Sequence, residues 1–196
     1  MSDNIIEYTK LCERINNIIT YKNLTLNTEI KTHPDSVIQF NFSFNSREGI
    51  VASQLVCYHT DGQILSGSSR NSYNNLVSTF VFNISWLHTH QSYLGQKLAS
   101  LILIYGLCYL KKTYITTKYA ILDDDSDNNK SLDKNIYNKL GFTYRGFQSL
   151  ESDKEIIMTG PEKQLNFDDN FLRNANNILN NLHGGKKLRK KYNTKI

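Results

Sequence analysis

The apolar positions of this chain follow two periods in turn. Ile5, Tyr8, Leu11, Cys12, Ile15, Ile18 and Ile19 recur every three or four residues behind Ser2 and Asp3 as caps, which predicts an opening amphipathic helix. Leu24–Ile30 fits neither period cleanly, and Thr32-His33-Pro34-Asp35 reads as a turn. Val37–Phe44 then alternates as a half-exposed strand does. Ser46-Arg47-Glu48-Gly49 leads into a second strand over Ile50–His59, and Thr60-Asp61-Gly62 into a third over Gln63–Ser69, the Asp-Gly pair being a hairpin signal.

The stretch from Leu76 to Lys112 organises the rest. Its first part, through Phe80, Phe82, Ile84, Trp86 and Leu87, has the aromatic and β-branched content of a strand buried on both faces. A polar turn, His88-Thr89-His90-Gln91-Ser92-Tyr93, follows. Leu94, Leu98, Leu101, Ile102, Tyr105, Cys108 and Tyr109 then mark a mostly buried helix ending at Lys111-Lys112, whose cations suit its negative end. A helix starting near Ser92 leaves the amides of Gln91, Ser92, Tyr93, Leu94 and Gly95 aimed at whatever lies over the turn, and an anion such as phosphate fits there. On pattern alone, such a turn belongs to any strand–helix unit, and Gly95 reads equally well as a packing detail.

Beyond it, Tyr114–Leu122 predicts a strand, Ser131–Leu140 a short helix closed by Gly141, and Thr143–Leu150 and Glu155–Thr159 two more strands. Phe167–Leu182 has helical spacing up to Gly184-Gly185. The expected organisation is a helical segment over 1–35, an α/β domain over 36–162, a helix over 163–184 and a basic tail over 185–196.

Charge changes this picture only at the end of the chain. Of 23 Lys and Arg, six lie after Gly185 (Lys186, Lys187, Arg189, Lys190, Lys191 and Lys195), leaving 17 against 18 acidic residues elsewhere. The body is near neutral and the tail alone invites polyanions, with 186–196 as the expected contact. Three separated cysteines, at 12, 57 and 108, signal neither a disulfide framework nor a zinc site. The 39% apolar fraction suits an ordinary core. No charged-then-apolar leader opens the sequence, and Leu101–Leu110 is too short to span a bilayer, so an intracellular protein without membrane contact is expected. Abundant Asn, Ile, Lys and Tyr with two Pro suggest coding by AT-rich DNA, as in large viruses or parasite genomes. Asp123-Asp124-Asp125-Ser126-Asp127-Asn128 departs from a calcium loop, since Asn128 replaces the glycine and Lys134 the bidentate acid; no metal is expected.

Two stretches carry a resemblance. His90-Gln91-Ser92-Tyr93-Leu94-Gly95 follows a strand and precedes a helix, and Ile136-Tyr137-Asn138-Lys139-Leu140-Gly141-Phe142 closes the short helix. Together, over about Val37 to Gly160, they resemble the GNAT superfamily of N-acetyltransferases. There an [R/Q]-x-x-G-x-[G/A] turn holds the acetyl-CoA pyrophosphate and a later helix ends in L-Y-x-x-x-G-F. His90 stands where Arg or Gln is usual and Tyr93 where Gly is usual, while the second motif fits throughout. The helices that the family inserts between its first two strands have no room between Phe44 and Ile50; the N-terminal helix is their candidate replacement.

The resemblance implies a mixed, mostly antiparallel sheet of about seven strands with helices on both faces. It also implies acetyl transfer from acetyl-CoA to an amine by direct attack. It places Tyr137 as the acid that protonates the departing thiolate, a role that asks more of its placement than of its pKa. Its backbone donors for the thioester are Trp86 and Leu87, and its cofactor contacts His90, Gln91, Ser92, Tyr93, Leu94, Gly95, Gln96 and Tyr137. His88 is the candidate base. Without the resemblance, Tyr137 reads as a packing residue and His88 as a loop histidine. No Cys or Ser lies beside a His in a recognisable nucleophile motif. Two further readings remain: a GNAT-like module that holds CoA without catalysis, and a nucleic-acid- or virion-associated protein acting through its tail.

Overall fold

In the computed structural model the described residues are 3–34, 36–61, 80–124, 134–149 and 156–183. In chain order they form α1 (Asp3–Tyr21), β1 (Leu24–Thr32), β2 (Ile38–Ser46), β3 (Val51–Asp61), β4 (Phe80–Thr89), a 3-10 turn (Gln91–Tyr93), α2 (Leu98–Thr113), β5 (Tyr119–Asp123), α3 (Ile136–Leu140), β6 (Thr143–Ser149), β7 (Ile156–Asn166) and α4 (Asp169–His183). The strands make one seven-stranded sheet in the order β1-β2-β3-β4-β5-β7-β6. Only β4 and β5 run parallel, joined by the crossover through α2. This is the mixed α/β, mostly antiparallel architecture that the motifs imply.

The ambiguous Leu24–Ile30 stretch is an edge strand, paired with β2 from Leu24↔Ser46 to Thr32↔Ile38. Its alternation is hard to read because only Leu24 is buried. The expected strand over Gln63–Ser69, the hairpin glycine Gly62, the first residues of the Leu76 strand and the tail lie outside the described residues; β3 pairs directly with β4, from Asp61↔Phe80 onward.

Phe40, Phe42 and Phe44 of β2, Leu55 and Cys57 of β3, and Phe82 and Ile84 of β4 share one face of the sheet and are almost wholly buried. α2 packs on that face, with ten residues from Leu98 to Leu110 buried. α1 covers α2 through Tyr8, Leu11, Ile15 and Ile19, and α4 touches both. The three long helices therefore lie together on one side. The other face is polar over β1 and β2, where Gln39 donates to Asn41 at 2.9 Å and Asn41 to Glu29 at 3.1 Å, and this part of the sheet offers a helix little apolar surface to bury.

Candidate active site

The sheet opens at β4. Its register with β3 runs Ser53↔Thr89, Gln54↔His88, Leu55↔Leu87 and Val56↔Trp86, then Cys57↔Ile84, so Ser85 is an extra residue, a bulge. On the other edge β5 pairs only with Val81 to Ile84. From Ser85 to Thr89 the backbone of β4 keeps β3 on one side and is not engaged by β5 on the other. The bulge also re-aims the side chains. Leu87 packs against the core, whereas Trp86 and His88 project from the opposite face, stacked with ring centres 6.1 Å apart, and Trp86 is 57% exposed. The expectation of a strand buried on both faces thus holds only from Val81 to Ile84: Phe80 is half exposed, and past Ile84 β5 ends and, among the described residues, no helix covers the second face.

The turn after β4 is built differently from the one expected. His90 ties its amide to the Ala52 carbonyl at 3.0 Å, and its Nδ1 accepts from the Ser92 amide at 3.2 Å. The neutral ring then carries its proton on Nε2, the one nitrogen left for a ligand. Tyr93 donates to the His90 carbonyl, Leu94 to that of Gln91 and Gln96 to that of Tyr93, at 2.9, 3.2 and 3.4 Å. The amides of Ser92, Tyr93 and Leu94 are therefore spent inside the turn. Gly95 (φ +78°) and Lys97 (φ +63°) are both left-handed, so the helix cannot begin until Leu98. Its ladder opens with Leu101 on the Lys97 carbonyl at 3.2 Å, which leaves the amides of Leu98, Ala99 and Ser100 without an intrahelical partner. No acid stands in this first turn, Lys97 adds a cation, and a Cβ placed on Gly95 would meet nothing within 4 Å. An anion fits here, several residues later than expected.

Tyr137 comes from the other side of the opening. Asn135 caps the five-residue α3, accepting from the Asn138 amide at 3.0 Å, and Gly141 (φ +103°) ends it. The Tyr137 ring is half-buried, edge-on to Phe142 at 5.7 Å. Burial pushes its phenol well above the usual tyrosine range, and the charges of Asp124 and Cys57 add to the shift. These two neighbours locate it: Cys57 faces Ile84, Ile84 faces Leu122 in the last β4–β5 pair, and Asp124 lies two residues beyond Leu122. The phenol stands near the point where β4 and β5 part.

One cluster has no counterpart in the sequence reading. Asp124 and Lys163 of β7 are both fully buried, with Nζ 2.5 Å from Oδ2. Lys163 also donates to Asn138 Oδ1 at 2.7 Å, and Asn135 donates to Asp124 Oδ2 at 2.8 Å. Asp124 belongs to the acidic run that departs from a calcium loop, and nothing in a linear sequence brings Lys163 to it across 39 positions. A cavity of about 460 Å³ lined by His33, Pro34, Val37 and Tyr58 lies elsewhere, since Tyr58 faces Asn83 near the other end of β4. Among the described residues no group of three His, Cys, Asp or Glu could hold a metal, and no helix is long and apolar enough to cross a membrane.

No protein-family profile matches the chain, and no curated protein sequence matches it. Solved structures that resemble it include GNAT-family N-acetyltransferases. A GNAT-family acetyltransferase from Listeria monocytogenes has 15% identity and a TM-score of 0.42, covering 65% of this chain and 64% of its own. A GNAT-family N-acetyltransferase of Escherichia coli in complex with CoA has 14% and 0.41, covering 82% and 68%. NAA60 of Arabidopsis thaliana in complex with acetyl-CoA has 10% and 0.46, covering 73% and 99%. At such identities and scores they assign no role to any residue here.

Proposed function

We propose that the protein moves an acetyl group from acetyl-CoA to an amine acceptor by direct attack on the thioester. The observation that carries this reading is the open edge of β4 after the Ser85 bulge. It runs into a turn whose Gly95 is uncovered and whose helix start offers free amides. In this reading the amides of Leu98, Ala99 and Ser100, with Lys97, take the pyrophosphate, and His90 contributes Nε2. Backbone donors around Trp86 and Leu87 polarise the thioester carbonyl. The amine nitrogen forms its bond to the acetyl carbon as the carbon–sulfur bond breaks, and its spare proton leaves through His88 or water. Tyr137 donates to the departing thiolate. Its raised pKa makes ionisation costly, so it acts through a hydrogen bond and regains from solvent any proton it gives.

The test is a melting curve. Acetyl-CoA at about 100 times its dissociation constant should add about 2.7 kcal/mol of stability. Gly95→Val should remove that shift; since φ there is +78°, the variant should also melt lower without ligand, by about 1–2 kcal/mol. A wild-type protein indifferent to acetyl-CoA overturns the assignment. Stabilisation without release of free thiol, across peptide α-amines, lysine peptides and spermine, would make it a binding module instead.

A further inference from the structure

We infer that the buried Asp124–Lys163 pair is a positioning device for Tyr137, acting through the two asparagines that flank it; the inference rests on the acetyl-transfer reading. α3 has only five residues, too few to hold its own shape or aim a side chain by helix propensity alone. Hydrogen bonds at either end of it supply the orientation. Ahead of Tyr137, Asn135 caps the helix and donates to Asp124. Behind it, Asn138 Oδ1 accepts a hydrogen bond from Lys163 Nζ at 2.7 Å, and the Asn138 amide donates to Asn135 Oδ1 at 3.0 Å. Lys163 and Asp124 close the circuit at 2.5 Å.

The anchor is as stiff as the sheet. Asp124 follows directly on β5, and Lys163 is held on one side by Leu122 of β5 and on the other by Tyr144 of β6. A residue hung from this circuit moves with β5, the strand that parts from β4 at the proposed thioester position. Water exclusion keeps the bonds short and directional, since both charged side chains are 0% exposed. A pair buried only for packing would need no link to α3, yet Lys163 spends one of its donors on Asn138.

The experiment is a double-mutant cycle between Asn138→Ala and Tyr137→Phe, because Asn138→Ala cuts the link without stranding a buried charge. Thiol release from acetyl-CoA with pooled peptide α-amines, lysine peptides and spermine gives kcat and KM, and a melting curve with acetyl-CoA gives binding. Tyr137→Phe alone should slow kcat by about 10²–10⁴-fold. Asn138→Ala alone should slow kcat at least tenfold with KM for acetyl-CoA within about twofold, and in the Tyr137→Phe background it should slow kcat no further. Asn138→Asp, which keeps the acceptor oxygen for Lys163, should recover most of the rate. Equal slowing by Asn138→Ala in both backgrounds overturns the positioning role and leaves the transferase reading standing. Full turnover in Tyr137→Phe overturns the positioning role and the acid role of Tyr137 while the transferase reading stands; no thiol release by wild-type protein overturns both.

Discussion

His59 lies among three rings, with centroids 5.0 Å from Phe80, 5.1 Å from Phe82 and 4.1 Å from Tyr114, and its Nε2 meets the Thr117 hydroxyl at 3.0 Å. Burial lowers its pKa, and the groups that face it are aromatic or hydroxyl. The sign follows directly. Above about pH 6.5 the imidazole is neutral in both folded and unfolded chains; below it the unfolded chain binds a proton that the folded one resists. His59 therefore contributes stability that is lost as pH falls from about 6.5 through its lowered folded value. His59→Phe should flatten this part of the stability profile, measured by urea unfolding between pH 7.5 and 5; an unchanged slope would show that other groups set it. In the sequence His59 was one alternating position of a strand. Its neighbours come from β4 and from the loop before β5, which only the fold brings together. Asp124 and Lys163 follow the same rule, since a buried charge is recognisable by its partner and not by its own position.

At the level of elements, periodicity located nearly every helix and strand, and the errors cluster where backbone conformation overrides residue type. The helix expected from Ser92 starts at Leu98 because Gly95 and Lys97 are left-handed. The last strand was expected to stop at Thr159, just before Gly160-Pro161. It continues to Asn166, with the pair sitting where the β6 register shifts and just beyond the last β5 partner, Glu162, so the missing proline N–H interrupts little. Gly106, mid-helix in α2, is explained by approach: a Cβ there would come 2.4 Å from Leu55 Cδ2 and 3.1 Å from Phe42 Cδ2. Gly106→Ala should therefore destabilise the protein by about 1–3 kcal/mol through overpacking, against the gain that alanine brings in an open helix. Chemical denaturation reads this directly, and a stabilised variant would mean that α2 can lift from β3 without cost.

For the whole molecule, the charge balance proposes a division of labour between a nearly neutral body and the six cations after Gly185. α4 ends at His183 and anchors through Phe171, Leu172, Ala175 and Leu179, so truncation after Gly184 removes none of these contacts. The truncated protein should keep its melting temperature and its response to acetyl-CoA while losing salt-sensitive binding to duplex DNA at low salt. Undiminished DNA binding by the body would return weight to the nucleic-acid reading.

The sequence by itself determined the mixed α/β order of elements, the strand–turn–helix unit at its centre, the Tyr137 helix with its closing glycine, and the neutral body with a basic end. These depend on local periods, capping residues and counted charges, which neighbours in the chain are enough to set. The tertiary structure decided the rest. It placed the long helices on one face, inserted Ser85 as a bulge that frees the β4 edge, moved the unpaired amides of the helix start to Leu98–Ser100, and joined Asp124 to Lys163. Each of those depends on which strand lies beside which, and pairing between distant segments leaves no period in the chain to read.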